Sequence, residues 1–246
     1  MTLVEYLINN YDYETKKAQA IIMAGLVLVN EEVITISSYK IKPKDQIRIK
    51  ETKTWVSRGA YKLLAAIKEF NLEIKNKICL DIGASTGGFS QVLIHHGAKL
   101  VYALDVGTNQ LDFKLRNLNN LISLEKTNLK TINKKMFESK LDLVVCDVSF
   151  ISIKHVFNVL TNDLLALDHQ LIILIKPQFE APSKLVDHNG FVDPIYHQQI
   201  IDKIILDAKT KGFVLKQICP SPVVGQKSKN IEYLAHFQKE QKDEKD

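Results

Sequence analysis

The chain has 246 residues, 46% of them hydrophobic, enough to bury a substantial core and to form one large domain with a small companion. Its apolar runs, such as Leu171 to Ile175, fall far short of the ~20 residues that cross a bilayer, and no cationic-then-apolar leader follows Met1, so neither a spanning protein nor standard secretion is expected. The formal charge of +5 is modest for a nucleic-acid binder but unevenly spread, and Cys79, Cys146 and Cys219 are odd in number, widely spaced and in apolar settings. Such cysteines suit buried thiols in a reducing cytoplasm, and without a C-x-x-C no metal site is expected.

Residues 1 to about 50 read as a separate α+β unit. Leu3, Leu7 and Ile8 predict a short helix, and Thr15 is placed to cap a second one carrying Ala18, Ile21 and Ile22 before a stop at Gly25. Val27 to Val29 and Val33 to Ile36 predict strands around a turn at Asn30 to Glu32, with Gln46 to Ile49 as a third strand. From Lys40 to Lys62 the basic residues Lys40, Lys42, Lys44, Arg48, Lys50, Lys53, Arg58 and Lys62 face only Asp45 and Glu51. That run is a candidate phosphate-facing patch, or a solvated face of mixed charge. The segment KKAQAIIMAGLVLVNEE resembles the S4-like RNA-binding domain of a ribosomal protein and of pseudouridine synthases, matching it at Ala18, Ile21, Ile22, Gly25, Val27, Val29 and Asn30. It departs at Thr15-Lys16, where a Ser-Arg pair is usual, and at Glu31, where a glycine is usual. The resemblance implies an RNA surface that includes Lys16, Lys17, Lys40, Lys42, Lys44, Arg48 and Arg58.

In KTWVSRGAYKLLAAIKEF, Trp55 and Val56 are apolar residues in a polar linker, expected to dock on one domain or to bridge two. From Ser57 the pattern turns helical, with Leu63, Leu64, Ile67 and Phe70 on one face and Lys62 among them, a position that also suits a snorkelling lysine.

The stretch ICLDIGASTGGFS, Ile78 to Ser90, reads as strand, small-residue turn and helix. It is not a P-loop, because Phe89 stands where the phosphate-binding lysine belongs, and it is not a dinucleotide fingerprint, because Ser85 replaces the second glycine. A ligand without a diphosphate fits better. S-adenosylmethionine is one: Asp81 at the strand end suits its positive charge, and Asp105, ending the next strand 24 residues later, suits a ribose diol. Spacing alone equally admits a glycine turn in another α/β protein with Asp81 as a helix cap.

The remainder alternates strands and helices as a doubly wound sheet should. Strands are expected at Leu121 to Glu125, through LDLVVC to Asp147, through LIILI to Lys176, and near Val214 and Tyr233, with a helix from Pro194 to Lys211 stopped by Gly212. Ligands of such sheets bind beyond the carboxyl ends of the strands, so Asp81, Asp105, Asp147 and Lys176 should share one edge. A lysine straight after five apolar residues is costly to bury, which favours a functional role over one that merely reaches solvent.

DVSF at Asp147 lacks the prolines of base amino-group methyltransferases, and neither Cys146 nor Cys219 is placed as the nucleophile that pyrimidine-carbon methylation requires. A hydroxyl acceptor remains, with a lysine base that works once burial or a second cation such as Lys62 favours its neutral form.

Over nearly its whole length, through SRGAYKL, LDIGASTGGF, CDVSFIS, KPQFE and NIEYL, the chain resembles the haemolysin-named TlyA family, ribosomal RNA 2'-O-methyltransferases that join an S4-like domain to an FtsJ-type domain. The resemblance implies an S4-like domain over 1–52, a linker over 53–56, and a Rossmann-like, seven-stranded methyltransferase domain over 57–246. It places a Lys-Asp-Lys-Glu tetrad on Lys62, Asp147, Lys176 and Glu232, with Lys176 as base, Asp147 and Lys62 tuning it, and Glu232 orienting the group. Expected cofactor contacts are Asp81, Gly83, Ser85, Thr86, Gly87, Gly88, Phe89, Asp105 and Asn128. Members methylate cytidine ribose in large-subunit and, for some, small-subunit RNA. The loop after KPQFE departs from the family pattern, since no arginine precedes Asp193-Pro194. Two other classes remain open: a membrane-active haemolysin, for which the sequence offers no convincing amphipathic or spanning segment, and an RNA-binding module without chemistry, against which the four tetrad residues speak.

Overall fold

The computed structural model describes residues 1–11, 13–50, 55–160, 164–224 and 229–239, in two compact units, Met1–Thr54 and Trp55–Asp246. Lys53 and Thr54 of the expected linker lie outside the described residues.

In the first unit, α1 (Leu3–Tyr11) and α2 (Thr15–Met23) cover a three-stranded antiparallel sheet of order β2-β1-β3, with β1 at Val27–Val29, β2 at Glu32–Ile34 and β3 at Ile47–Ile49. Its small core is Leu3, Leu7, Ala18, Ile22, Val27 and Val29. Thr15 is the first helical residue rather than a cap; Glu14 precedes it and makes no side-chain capping bond. The hairpin is tighter than expected, because Asn30 (φ 52) and Glu31 (φ 67) turn alone, and Ile36, expected in the second strand, is exposed. Two consecutive left-handed residues make the turn that matches strand twist, and Asn-Gly fills it with least strain. Here Glu31 holds the second position, and its carboxylate grips Arg48 on β3, Oε1 to Nε at 3.0 Å and Oε2 to Nη2 at 2.6 Å.

The second unit is a Rossmann-like α/β domain whose seven-stranded sheet runs β6-β5-β4-β7-β8-β10-β9. Helix α3 (Gly59–Glu69) leads into β4 (Ile78–Ile82), α4 (Gly88–His95), β5 (Leu100–Leu104), α5 (Phe113–Arg116), β6 (Leu121–Leu124) and β7 (Leu141–Cys146). Then come α6 (Lys154–Leu160), β8 (Leu165–Ile175), α7 (Pro177–Glu180), α8 (His197–Thr210), β9 (Phe213–Pro220) and β10 (Tyr233–Lys239). β4 through β8 pair in parallel, whereas β10 runs antiparallel to both its neighbours. The helix expected from Pro194 begins with a 3-10 turn there and becomes α-helical at His197, and α3 starts at Gly59 rather than Ser57.

The continuous apolar strands are explained by a core on each face of the sheet. Ile78, Leu80 and Ile82 of β4, Val144 and Cys146 of β7, and Leu171, Ile173 and Ile175 of β8 enter one core. Cys79, Leu143, Val145, Ile172, Leu174 and Leu234 enter the other, beneath Leu63 and Ala66 of α3 and Phe89, Val92 and Leu93 of α4. Trp55 belongs to this second core, with its ring edge-on to His95 at 5.4 Å between centroids, and the Val56 amide donates to Gln91 Oε1 at 2.7 Å. Cys79, Cys146 and Cys219 are free thiols, and burial pushes the Cys146 thiol up, away from a nucleophilic thiolate. Among the described residues, no helix is long and apolar enough to cross a membrane, and no cluster of His, Cys, Asp and Glu could hold a metal ion.

Candidate active site

Side chains alternate faces along a strand, so every second residue points the same way. Counting on by two from Cys79 reaches Asp81; from Leu143 and Val145, Asp147; from Ile172 and Leu174, Lys176; and back from Leu234, Glu232. All four continue the face covered by α3, and Lys62 is on α3. The position of Glu232 follows from the reversed strand: Tyr233 pairs with Ile175, which sets Glu232 beside Lys176 at the carboxyl edge of β8.

These residues form one ionic chain. Lys62 Nζ lies 2.8 Å from Glu232 Oε2 and 3.2 Å from Asp147 Oδ2, and Lys176 Nζ lies 2.6 Å from Asp147 Oδ1. Their side chains retain only 5 to 18% of their exposure. Two cations and two carboxylates cancel, which is how so dry a cluster is tolerated. Lys62 does not touch Lys176; Asp147 stands between the two lysines and takes each on a different oxygen.

Asp81 is the unbalanced charge. It is 1% exposed, and its Oδ2 accepts from the Ser90 amide at 2.9 Å and the Ser90 hydroxyl at 2.7 Å, so one oxygen does serve the start of α4. Its Oδ1 is buried without a hydrogen-bond partner. Burial pushes the Asp81 carboxyl up to about 7, against the two Ser90 hydrogen bonds that pull it down. An orphaned carboxylate oxygen beside a neutral ion cluster fits a ligand that brings positive charge.

Two clefts open at this edge, where the strand order reverses between β4 and β7. The first, about 440 Å³, is lined by Asp81 and all four tetrad residues, with Gly83, Ser85, Thr86, Gly88, Phe89 and Arg58. The second, about 540 Å³, is lined by Asp105, Asn128 and the apolar Leu104, Val106, Leu129, Val148 and Ile151, and shares Gly83, Ser85, Asp147 and Ser149 with the first. A polar cleft beside an apolar one suits a ligand with a charged head and an aromatic base. Asp105 accepts from the Ser85 amide on Oδ2 and from the Gly107 amide on Oδ1, both at 2.8 Å, and Asn128 caps a short turn by accepting from the Lys130 amide.

The glycines also answer to packing. A Cβ on Gly87 would lie 2.4 Å from Leu115 Cδ1, one on Gly88 would lie 2.1 Å from Ser57 Oγ, and Gly87 lines neither cleft. Gly83 (φ 81) faces the Asp147 carbonyl, where a Cβ would sit 3.0 Å away, so it lets the turns after β4 and β7 close on each other.

Lys16, Lys17, Lys40, Lys42, Lys44 and Arg48 are exposed in the first unit, with Arg48 held by Glu31 and the Lys17 ammonium 4.1 Å over the Tyr13 ring. Arg58, in the second unit, is exposed at the mouth of the first cleft. Two polar residues given no role from sequence also belong to the site. Ser149 Oγ accepts from Lys176 Nζ at 3.0 Å. Asn230, fully buried, accepts from the Val192 amide at 2.9 Å and donates to the Gly190 carbonyl at 2.7 Å, tying the loop that lacks the arginine to the segment that carries Glu232. Asn230 could have been marked only as a polar residue beside the apolar positions of NIEYL; Ser149 is exposed and carries no such signal.

The FtsJ-like methyltransferase model matches residues 55–239 and the S4 domain model residues 14–47. Hemolysin A of Brachyspira hyodysenteriae is 46% identical over 240 residues, covering 96% of this chain and 99% of that one. The 16S/23S rRNA (cytidine-2'-O)-methyltransferase TlyA of Mycobacterium tuberculosis is 38% identical over 183 residues, 74% of this chain and 68% of its own. A solved, hemolysin-named structure from Streptococcus thermophilus superposes with a TM-score of 0.74 at 36% identity, over 98% of this chain and 88% of that one.

Proposed function

The chain belongs to the FtsJ-like methyltransferase family, and from that premise we propose that it methylates the 2'-hydroxyl of a cytidine ribose in ribosomal RNA. Bound S-adenosylmethionine would supply an electrophilic methyl carbon on a cationic sulfur that leaves as a neutral thioether. Asp81 Oδ1 would hold the positive end of that donor, Asp105 its ribose diol, and the apolar cleft with Asn128 its base. Lys176 would take the proton of the ribose hydroxyl as the oxygen bonds to the methyl carbon, and then pass it to solvent. Asp147 holds that lysine and shares its charge with Lys62, which Glu232 anchors in turn.

The observation that carries this reading is the continuous Glu232–Lys62–Asp147–Lys176 chain beside an unpartnered Asp81 oxygen. An RNA-binding module without chemistry has no use for so costly a buried cluster. The small first unit, with its exposed lysines, would engage the RNA, and ribosomal subunits in the cytoplasm would be the substrate. The test is to incubate the protein with methyl-labelled S-adenosylmethionine and ribosomal subunits and then hydrolyse the RNA in alkali. Label in an alkali-resistant dinucleotide is expected, because a methylated 2'-oxygen cannot attack the neighbouring phosphate; label in mononucleotides overturns the ribose assignment.

A further inference from the structure

We propose that Ser149 is a positioning residue for the base: it fixes the direction in which the Lys176 amine presents its lone pair to the acceptor hydroxyl. The inference rests on the assignment of Lys176 as base. A neutral amine nitrogen has four tetrahedral directions, of which one is its bond to Cε. In this site one more is committed, an N–H to Ser149 Oγ at 3.0 Å, while Asp147 Oδ1, 2.6 Å away, holds the nitrogen as an ion-pair partner without a hydrogen bond. Two fixed directions are left, for the remaining N–H and the lone pair. With Asp147 alone, a charge contact without a directional bond, the amine could rotate about the Cε–Nζ bond and spread that lone pair over a cone. Ser149 removes the rotation.

A serine can orient a lysine only if its own backbone is held, and three features hold it. Phe150, the next residue, adopts φ 67, a left-handed conformation that a bulky side chain keeps only when its surroundings demand it. Its ring meets that of Phe179 at 5.1 Å between centroids. Glu180, the last residue of α7, accepts from the Ser152 hydroxyl and the Ile153 amide, both at 2.8 Å. The loop after β7 is thus pinned at two points to the short helix that begins right after Lys176. Ser149 lines both clefts, at the junction where donor and acceptor must meet. It is otherwise exposed, so neither core packing nor burial accounts for its contact with the lysine.

The full-length chain is assayed with methyl-labelled S-adenosylmethionine and ribosomal subunits, comparing wild type, Ser149→Ala, Ser149→Thr and Lys176→Ala. Ser149→Ala should lower the transfer rate at saturation roughly tenfold or more, as misdirection of a reacting group does. The KM for RNA and the affinity for S-adenosylmethionine should stay within about twofold, and the melting temperature should not move, because the site is exposed. Ser149→Thr, which keeps a hydroxyl, should recover most of the rate. A wild-type rate in Ser149→Ala, a loss confined to KM, or a Thr variant as slow as Ala overturns the orientation role. Lys176→Ala separates the two levels: if it still transfers methyl, the base assignment has failed; if it is inactive while Ser149→Ala is normal, only the orientation has failed.

Discussion

Lys62 and Glu232 lie 170 positions apart in the chain and meet at 2.8 Å, each keeping little exposure, 12% and 5% of its side chain. The contact exists because β10 is inserted antiparallel beside β8, which returns the chain to the edge where β4, β7 and β8 end. It forms one end of the ionic chain that runs through Asp147 to Lys176.

Removing Glu232 should therefore affect stability as well as turnover. In Glu232→Ala, Lys62 keeps only Asp147, at the longer 3.2 Å, and a loss of about 1–3 kcal/mol is expected in urea unfolding. Glu232→Gln keeps an acceptor for the Lys62 ammonium and should recover most of that loss. An Ala variant as stable as wild type would show that the contact does not matter to the fold.

Lys176→Ala should reduce methyl transfer by roughly 10²- to 10⁴-fold, the range that a positioned base contributes. Affinity for S-adenosylmethionine, by calorimetry, should change little, since Asp81 rather than Lys176 offers the free acceptor and Asp147 retains Lys62. Near-normal turnover would require another proton acceptor.

Glu31 and Arg48 give a prediction about RNA. The carboxylate occupies the guanidinium with two hydrogen bonds, and that guanidinium holds the Glu31 carboxyl below its usual range. Glu31→Gly would place at φ 67 the residue that conformation favours and would release Arg48 to a phosphate. RNA affinity of the full chain should rise, with the slope of log K against log salt steeper by about one. In wild type, Arg48→Ala should alter RNA binding little; a large loss would mean that Arg48 binds RNA despite Glu31.

Much of this was readable before the structure. Asp81, Asp105, Asp147 and Lys176 each follow an apolar run, and because side chains alternate along a strand, the run tells which face its polar end will take. Glu232 has no such run before it, and its place depends on a reversed strand that spacing does not reveal; only the resemblance pointed to it. Of the expected cofactor contacts Gly83, Gly87 and Gly88, Gly83 and Gly88 line the first cleft and Gly87 lines neither, while a Cβ on Gly87 or Gly88 would meet Leu111, Leu115 or Ser57, residues remote in sequence. Thr15 fits a capping pattern, yet the helix begins one residue sooner. Ser149 carried no pattern at all, since its role comes from two loops docking.

Asp81 sets the pH dependence of donor binding. Burial raises its folded-state pKa to about 7, from an ordinary value of 3.8, with Ser90 pulling it down and the nearby Asp147 and Asp105 carboxylates pushing it up. In the absence of ligand, the protonated form is the one the fold favours, so its contribution to stability is full below pH 3.8 and lost as pH rises through 7. A cationic donor needs the opposite form. Below pH 7 the carboxyl must release a proton to bind, so affinity for S-adenosylmethionine should fall with acidity, approaching tenfold per pH unit until the pKa of the bound state is reached. Calorimetry at pH 6 in two buffers of different ionisation enthalpy should detect nearly one proton released per donor bound. Asp81→Asn keeps an acceptor for Ser90 but carries no charge; its affinity should be weaker and flat across pH 6 to 8, and without ligand it should unfold later than wild type at pH 8. If wild-type affinity is flat across the same range, Asp81 does not meet the positive charge of the donor, and the unpartnered oxygen serves some other ligand.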